Sequence, residues 1–376
     1  MIYFDNSATT APCEAVKRAA KELFESDSFG NPGSLHKLGV AAQKQYAQSR
    51  ENIAKNLGCN PSELYFTSCA TESANTAIFG YLSHNKRAGK TIVSTKTEHR
   101  ATLSCLEKLE SEGCKVVYLP VDKTGRPTEE AVSNALSDGD CALLCLTYVN
   151  NETGARLPED LYAKARQGKT AALYVDFVQA LGKVKFDLKL CDMASFSAHK
   201  VHGPKGVGAL YVNSKTRIDP YILGGGQQGG MRSGTENPFG AKLFETAINE
   251  AYENMDAAFE NISAINAYLR DELTKRGCTI LSPDDALPYV LNVSFPDFES
   301  ETMLHCLEMY DIYVSTVSAC SSKAKKVSYV LLETGVDRKL AANAVRLSFS
   351  RYNTMEEAKK FIESVDDIYE KFCVKR

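Results

Sequence analysis

A lysine in a turn-rich segment has the surroundings best suited to chemistry. Lys200 lies in Ser195-Phe-Ser-Ala-His-Lys200-Val-His-Gly-Pro-Lys-Gly-Val-Gly208, directly after an apolar run that predicts a strand end. His199, His202 and Lys205 are charged or chargeable neighbours that can lower the pKa of the lysine amine. An amine with a lowered pKa is nucleophilic enough to form a Schiff base. An ordinary lysine on a surface turn would have the same local pattern, so the segment alone leaves both interpretations open.

Two further loops combine polar residues with a predicted strand end. Thr67-Ser-Cys-Ala-Thr71 places hydroxyls and backbone N–H groups at a helix start, which is typical of a phosphate site and equally of an ordinary N-cap. His99 follows a strand that ends near Thr95. It could lie over a planar ligand or act as an acid or base, and a surface histidine is the alternative.

Two more loops follow buried apolar strands. Asn151, in Val149-Asn-Asn-Glu-Thr-Gly154, places an amide at the carboxyl edge of a sheet, although paired asparagines also suit a turn. Asp176 ends a strand, where a buried carboxylate is costly unless a cation such as a protonated ring nitrogen pairs with it; helix capping is the alternative. A phosphate site, a stacking histidine, a buried aspartate and a Schiff-base lysine together indicate a pyridoxal 5'-phosphate (PLP) site.

The elements that position these residues alternate between strands and helices. Such alternation predicts an α/β fold with a mainly parallel sheet, whose functional residues lie at the carboxyl ends of the strands. The predicted strands are Glu63–Thr67, Thr91–Thr95, Lys115–Leu119, Ala142–Tyr148, Ala171–Asp176, Met193–Ser197 and Val207–Val212. The predicted helices between them include Thr71–Leu82, Arg100–Gly113, Glu129–Leu136 and Pro158–Gln167.

The last third of the chain has a different pattern. One long helical run is predicted from Pro238 to about Arg276, and a compact α+β unit follows it. The predicted elements of this unit are the strands Tyr289–Phe295, Ile312–Ser315 and Arg346–Ser350 and the helices Ser300–Met309 and Met355–Cys373. We expect a large domain over residues 15–257 and a smaller one formed by residues 1–14 and 258–376.

Bulk composition excludes several classes of function. The 376 residues carry a net charge of −3, which gives no reason to expect a nucleic-acid surface, and no segment reaches the roughly 18 apolar residues of a membrane span. The N-terminus does not resemble a secretory signal, so we expect a cytoplasmic protein. The twelve cysteines include no C-x-x-C pair, so no metal site is expected and most should be buried.

Taken in order, the motifs resemble those of the cysteine desulfurases of the iron–sulfur assembly type, in the class V aminotransferase superfamily of PLP fold type I. The resemblance runs from Tyr3 to about Tyr352. The matching motifs are Asp5-Asn-Ser-Ala-Thr-Thr10, Asn31-Pro-Gly-Ser-Leu-His36, Ala70-Thr-Glu-Ser73, Glu98-His99, Asn150-Asn-Glu-Thr-Gly154, Asp176-x-x-Gln179, Ser195-Phe-Ser-Ala-His-Lys200, Gly203-Pro-Lys-Gly206 and Met231-Arg-Ser-Gly-Thr235.

The resemblance implies a role for each matching residue around the ring of the cofactor. Lys200 would hold PLP as a Schiff base and move protons. Asp176 would pair with the pyridine nitrogen, and Gln179 would donate to or accept from the ring hydroxyl. His99 would stack on the ring and serve as an acid or base.

It also implies how phosphate and substrate are bound. The phosphate would be held by Thr71, Ser197 and His199, and Thr235 would reach in from the second subunit of a homodimer. Asn151 and Arg346 would hold the carboxylate of L-cysteine, because a guanidinium gives the two-pronged geometry that a carboxylate prefers.

Cys320 matches the position of the family's nucleophilic cysteine. It lies among small polar residues and is followed by Lys323, Lys325 and Lys326, which indicates an exposed electropositive loop that favours the thiolate. The resemblance implies that this thiolate attacks the sulfur of the substrate. Alanine and an enzyme persulfide result, and the sulfur passes to an acceptor protein such as a cluster scaffold or a thiolation carrier.

The chain differs from the family pattern at two positions. Val317 and Cys69 stand where the family commonly has glycine. Two other functions share the same motifs: a lyase or desulfinase that acts on selenocysteine or cysteine sulfinate, and a non-catalytic partner in sulfur assembly that keeps the fold.

Overall fold

The computed structural model describes residues 1–26, 28–137, 139–161, 171–316 and 327–372. Its strands are β1 (Ile2–Tyr3), β2 (Leu64–Thr67), β3 (Thr91–Thr95), β4 (Lys115–Leu119), β5 (Cys141–Thr147), β6 (Ala172–Asp176), β7 (Met193–Ser197), β8 (Gly208–Val212), β9 (Thr279–Ile280), β10 (Val290–Ser294), β11 (Ile312–Tyr313) and β12 (Ala344–Ser348). Its helices are α1 (Glu14–Glu25), α2 (Lys37–Leu57), α3 (Ala70–His84), α4 (Arg100–Ser111), α5 (Glu129–Ser137), α6 (Pro238–Glu253), α7 (Met255–Lys275), α8 (Ser300–Glu308), α9 (Tyr329–Glu333), α10 (Arg338–Ala342) and α11 (Met355–Phe372).

Seven strands form the central sheet in the order β2-β8-β7-β6-β5-β3-β4. The five strands from β7 to β4 are parallel to one another, and β8 is antiparallel to both of its neighbours. All seven predicted strands are present, and β3, β4 and β7 have the predicted bounds. The prediction of a mainly parallel sheet is therefore confirmed, and its carboxyl edge is formed by the ends of β5, β6 and β7.

Helices cover both faces of this sheet because the central strands are apolar on both sides. Successive side chains of a strand point to opposite faces, and β5 shows this alternation. Leu143 and Cys145 pack with α3 and α4, whereas Leu144 and Leu146 belong to the core on the other face, which contains Phe244 of α6.

A second, smaller set of strands lies after α7. β10 pairs antiparallel with β12 and β9, and β1 pairs parallel with β11. The predicted strand Arg346–Ser350 begins and ends two residues earlier, because its pairing with β10 runs from Ala344 to Ser348. Asp5 forms a bridge with Ser348, so the N-terminal segment lies against β12. The proposed domain boundaries stay a prediction.

The long helical run predicted from Pro238 to Arg276 is in fact two helices, α6 and α7. The break is at Asn254, whose side-chain amide donates to the carbonyl oxygen of Glu250 at 2.8 Å. Asparagine competes in this way for backbone hydrogen bonds that would otherwise continue a helix.

Other helix predictions were incomplete. Of the predicted helix over residues 158–167, residues 159–161 are helical and the remainder from 162 lies outside the described residues, as does Cys373 at the end of the closing helix. Helices α1 and α2 lie in a region to which the sequence patterns assigned no element. None of the described helices combines the length and the apolar character that crossing a bilayer requires.

Candidate active site

A cavity of about 250 Å³ opens at the carboxyl edge of the central sheet. Its position follows the general rule for parallel α/β sheets, in which loops after the strands form the ligand site. The predicted site residues that line it are Thr71, His99, Asn151, Asp176, Gln179, Ser197, His199 and Lys200. Loops that are far apart in the sequence therefore meet at one site.

Lys200 lies in a short turn that follows β7. Its Nζ donates hydrogen bonds to the carbonyl oxygens of Ser7 at 2.5 Å and Ala8 at 2.8 Å. Burial among these groups lowers the pKa of Lys200 to about 8, and the nearby positive charge of Arg346 acts in the same direction. The amine therefore loses its proton more readily near neutral pH than an exposed lysine does, as a nucleophilic lysine requires.

Asp176 is the last residue of β6 and is 5% exposed. Its Oδ1 accepts a hydrogen bond from the backbone N–H of Val178 at 2.8 Å. Burial raises the pKa of the carboxyl group, while the charges of His99 and Lys200 oppose that effect. A buried carboxylate that accepts one hydrogen bond from the described residues is suited to a cationic partner, such as a protonated ring nitrogen.

His99 is the N-cap of α4. Its Nδ1 accepts from the backbone N–H of Ala101 at 3.1 Å, so in the neutral ring the proton belongs on Nε2. The side chain is exposed because it faces the cavity, yet the surrounding protein removes enough water to lower its pKa. A neutral imidazole that faces a cavity is able to stack on a planar ligand.

Gln179 is held at both ends of its amide. The Nε2 atom donates to the carbonyl oxygen of Ser7 at 3.0 Å, and the Oε1 atom accepts from Nζ of Lys183 at 2.8 Å. Ser7 therefore accepts from Gln179 and from Lys200 at once. These contacts fix the orientation of the amide at the cavity wall.

The opposite end of the cavity has the properties of an anion site. Ser197 is 1% exposed and its hydroxyl has no hydrogen-bond partner among the described residues. Thr71 lies in the first turn of α3, where backbone N–H groups have no partner within the helix. Burial lowers the pKa of His199 to about 4, and its Nδ1 lies 3.1 Å from the Thr9 hydroxyl. Neutral donors beside a helix N-terminus fit a phosphate group.

Cys69 does not distort this end of the site. It is the N-cap of α3 with φ of −175°, an extended conformation that any residue adopts. The glycine that the local packing requires is Gly208 in β8. A Cβ atom there would lie 2.8 Å from the Cys69 backbone, which is too close for any other residue.

Arg346 and Asn151 are brought together, as predicted for a carboxylate site. The Nη1 atom of Arg346 donates to the Asn151 carbonyl oxygen at 3.1 Å, and its Nη2 atom pairs with Asp5 Oδ1 at 2.9 Å. The arginine is 7% exposed, and its Nε has no partner among the described residues. The guanidinium therefore lies behind the cavity wall with part of its donor capacity unused.

Thr235 does not line this cavity. It lines a separate pocket together with Thr67 and Ser68. Cys320 and Val317 lie outside the described residues. The chain on either side of them is attached close to the site: Ser315 exchanges backbone hydrogen bonds with Arg346, and Ser328 donates to the buried carboxylate of Glu152 at 2.5 Å.

Several residues of the site had no predicted role. The motif Asp5–Thr10 contributes the carbonyl groups of Ser7 and Ala8 and the carboxylate of Asp5. The residue types alone do not indicate that these groups lie in the site. Glu98 is buried behind His99, where it accepts from the hydroxyls of Thr95 and Thr147, and burial raises its pKa to about 8.

Comparison with known proteins gives one consistent result. A model of the aminotransferase class-V family matches residues 2–361. The NifS/IcsS protein homolog of Lactobacillus delbrueckii subsp. bulgaricus is 40% identical over 382 aligned residues, which cover 99% of this chain and 98% of the relative. Cysteine desulfurase IscS of Clostridium botulinum is 37% identical over 374 residues, which cover 98% and 94%.

A solved structure of a NifS-like protein superposes with a TM-score of 0.92 at 38% identity and covers 98% of this chain and 99% of its own. The predicted fold type I is therefore confirmed. Because the family match and the similarity to these relatives extend over almost the whole chain, the protein belongs to the aminotransferase class-V family and, within it, to the cysteine desulfurases.

Proposed function

We propose that the protein uses PLP to convert L-cysteine to L-alanine and transfers the sulfur through a persulfide on Cys320. One observation carries the cofactor assignment: a lysine amine with a lowered pKa and a buried carboxylate line the same cavity. The unpaired Ser197 hydroxyl at the other end of the cavity supports it, because a bound phosphate would supply the missing partner.

Bound PLP would supply an electron sink for carbanion chemistry at the amino acid that it holds. Lys200 is the residue that would attach it, and Asp176 would keep the ring nitrogen protonated. The face of the His99 ring would cover the cofactor, while Gln179 would donate its amide N–H to the ring oxygen. Thr71, Ser197 and His199 would bind the phosphate.

Arg346 and Asn151 would orient the substrate. Among the described residues the guanidinium has one nitrogen without a partner and another paired with Asp5, so it could donate to a substrate carboxylate in exchange for the contact with Asp5. A substrate held there by its carboxylate would direct its Cα toward Lys200. The Lys200 amine is then the group that moves the proton of Cα, since the carbonyls of Ser7 and Ala8 accept from it without protonating it.

Cys320 is proposed as the sulfur acceptor in the reaction. Its thiolate attacks the thiol sulfur of the substrate, an S–S bond forms and the Cβ–S bond of the substrate breaks. The electron pair of that bond remains with the carbon, which takes up a proton and becomes the methyl group of alanine. The products are alanine and a persulfide on Cys320, so atoms and electrons balance without another reactant.

The proposal extends to partners and location. A second copy of the chain would bring its Thr235 to the phosphate, which agrees with the position of Thr235 outside the cavity of its own chain. The sulfur acceptor would be a scaffold or carrier protein. A cytoplasmic location is supported by the ten described cysteines, all of which are free thiols.

The direct test measures alanine and sulfide formed from L-cysteine by the purified protein with PLP, together with mass spectrometry of Cys320 after one turnover. We expect alanine, and a mass increase of one sulfur atom on the peptide that contains Cys320. Cys320→Ala should abolish desulfuration of cysteine, whereas Cys306→Ala, which changes a cysteine in α8, should not.

Each other outcome has a distinct meaning. Unchanged cysteine turnover in Cys320→Ala would remove Cys320 from the mechanism. Turnover of selenocysteine in the same variant, with cysteine turnover lost, would indicate a lyase of broader specificity. A protein that stays colourless after PLP is added would contradict the enzymatic function.

A further inference from the structure

Lys183 is a buried lysine to which the proposed reaction assigns no role. It is 6% exposed and lies seven residues after Asp176, at the end of a tight turn. The turn depends on Gly182, which has φ of +66° and whose added Cβ would lie 2.6 Å from Val201. This backbone carries Lys183 into the interior beside the active site.

The surroundings of Lys183 are cationic. Among the described residues no carboxylate lies within ion-pair distance of its Nζ. Burial, together with the positive charges of Lys200 and Arg346, lowers the pKa of Lys183 to about 7. Lys183 in turn lowers the pKa of His199 and His202. A lysine buried without an anion opposes folding, so stability alone gives no reason for its presence.

The hydrogen bonds of Lys183 lead directly to the site. Its Nζ donates to Gln179 Oε1 at 2.8 Å, Gln179 Nε2 donates to the Ser7 carbonyl at 3.0 Å, and Lys200 Nζ donates to the same carbonyl at 2.5 Å. An ammonium group can only donate and a carbonyl can only accept. The amide of Gln179 is therefore held in one orientation, with its second N–H left for the cavity.

We propose that Lys183 is a positioning residue, which fixes the Gln179 amide as a hydrogen-bond donor toward the bound cofactor and, when protonated, places a second positive charge near the Lys200 nitrogen. The inference rests on the proposed function, because the group that Gln179 meets in the cavity is taken to be the ring oxygen of PLP.

Both effects have the same sign. A donor N–H stabilises the ring oxygen as an anion. A positive charge on Lys183 disfavours a second positive charge on the Lys200 nitrogen. Each therefore favours loss of the proton that the Lys200 nitrogen and the ring oxygen share. Without Lys183, that proton should therefore be lost at a higher pH than in the wild-type protein.

The test is a pH titration of the near-visible absorbance of the PLP-loaded enzyme without substrate. Lys183→Met keeps the side-chain length and removes both charge and donor. We expect its absorbance midpoint to rise by about one pH unit relative to the wild-type protein. Lys183→Arg, which keeps a charged donor, should titrate near the wild-type midpoint.

Two controls separate this role from a structural one. Lys185→Met changes an exposed lysine that pairs with Asp256 at the surface, and it should leave the midpoint unchanged. In a Gln179→Leu background the shift caused by Lys183→Met should shrink, because the part transmitted through the amide is already lost.

An unchanged midpoint in folded, PLP-loaded Lys183→Met overturns the inference. If that variant does not fold, Lys183→Gln replaces it. Glutamine is neutral, so the absorbance midpoint must still rise. An unchanged midpoint in this variant overturns the inference equally. A wild-type protein that gains no near-visible absorbance with PLP would contradict the proposed function itself. If the absorbance of the wild-type protein titrates with pH but the Lys183 variants have the same midpoint, only the role of Lys183 is contradicted.

Discussion

The two ends of the active-site cavity differ in how far the protein satisfies its own polar groups. At the ring end, formed by His99, Asp176 and Gln179, every one of these side chains accepts or donates a hydrogen bond within the protein. At the phosphate end, formed by Thr71, Ser197 and His199, the buried Ser197 hydroxyl has no partner among the described residues.

This difference separates two tasks. The ring end is organised before any ligand arrives, so its groups can act on the reacting atoms without rearrangement, which is the basis of electrostatic catalysis. At the phosphate end no described residue completes the hydrogen-bonding capacity of the Ser197 hydroxyl, so we expect this end to contribute to cofactor affinity. Changes at the ring end should therefore reduce the rate, and changes at the phosphate end should reduce cofactor binding.

The largest expected effect is that of Lys200→Ala at the ring end. The variant loses the amine that we propose attaches the cofactor and moves protons, so kcat should fall by roughly a thousandfold or more. Near-visible absorbance of the PLP-loaded protein should disappear with it. Lys205→Ala, at an exposed position five residues later, is the matched control and should retain both. Retained absorbance in Lys200→Ala would remove the lysine from the site.

Asp176→Asn should lower kcat by roughly a hundredfold to a thousandfold at saturating PLP. Asparagine can still accept the hydrogen bond from Val178, so the fold should persist, while the charge proposed to hold the ring nitrogen protonated is lost. Steady-state kinetics and the PLP dissociation constant check this together. Asp187→Asn changes an exposed aspartate and serves as the control. A variant that lost only PLP affinity, with kcat intact, would erase the difference between the two ends.

Ser197→Ala should have the opposite profile. PLP should bind about tenfold more weakly, because one hydrogen bond to a charged phosphate is lost, while kcat at saturating PLP changes little. The cofactor-free protein should become more stable by about 1 kcal/mol, since an unsatisfied buried hydroxyl is removed.

Ser195→Ala is the matched control for that change. Ser195 lies two residues earlier on β7, is equally buried, and its hydroxyl lies 2.8 Å from the Tyr174 hydroxyl. Its removal should therefore destabilise the cofactor-free protein in thermal or urea unfolding. Equal destabilisation by both alanine variants would show that Ser197 has a partner without the cofactor.

The smallest expected effect concerns stability and pH at the ring end. The folded-state pKa of Lys183 is lowered to about 7 from an ordinary value near 10.5. Between these values the unfolded chain binds more protons than the folded one, so this lysine makes stability rise with pH. We compare the free energy of unfolding of the cofactor-free wild-type protein with that of Lys183→Met. The wild-type value minus the variant value should rise by about 1 kcal/mol per pH unit above pH 7. A difference that is flat or falls with pH would contradict the lowering of the Lys183 pKa by burial.

Features that depend on local sequence patterns could be predicted, and features that depend on contacts between distant residues could not. Asp176, Ser197 and Lys200 were assigned to one site because each follows or ends a strand, and the ends of parallel strands meet at one edge. The division of the helical run at Asn254 was not predicted, because a single asparagine in a helical pattern is a weak signal. The two-residue shift of β12 also escaped prediction, since its bounds depend on pairing with β10.

The sequence by itself determined the seven strands of the central sheet, the strand-end positions of the polar residues and the family of the protein. The tertiary structure alone decided which partners those residues have. Lys200 donates to Ser7, 193 positions away, and Arg346 pairs with Asp5, 341 positions away. Neither residue type identifies the other, because a backbone carbonyl has no sequence signature and a surface aspartate has the same letter as a buried one. Lys183 is the clearest case: its burial and its bond to Gln179 arise from the packing around Gly182, and they join a lysine with no predicted role to a residue of the cavity wall.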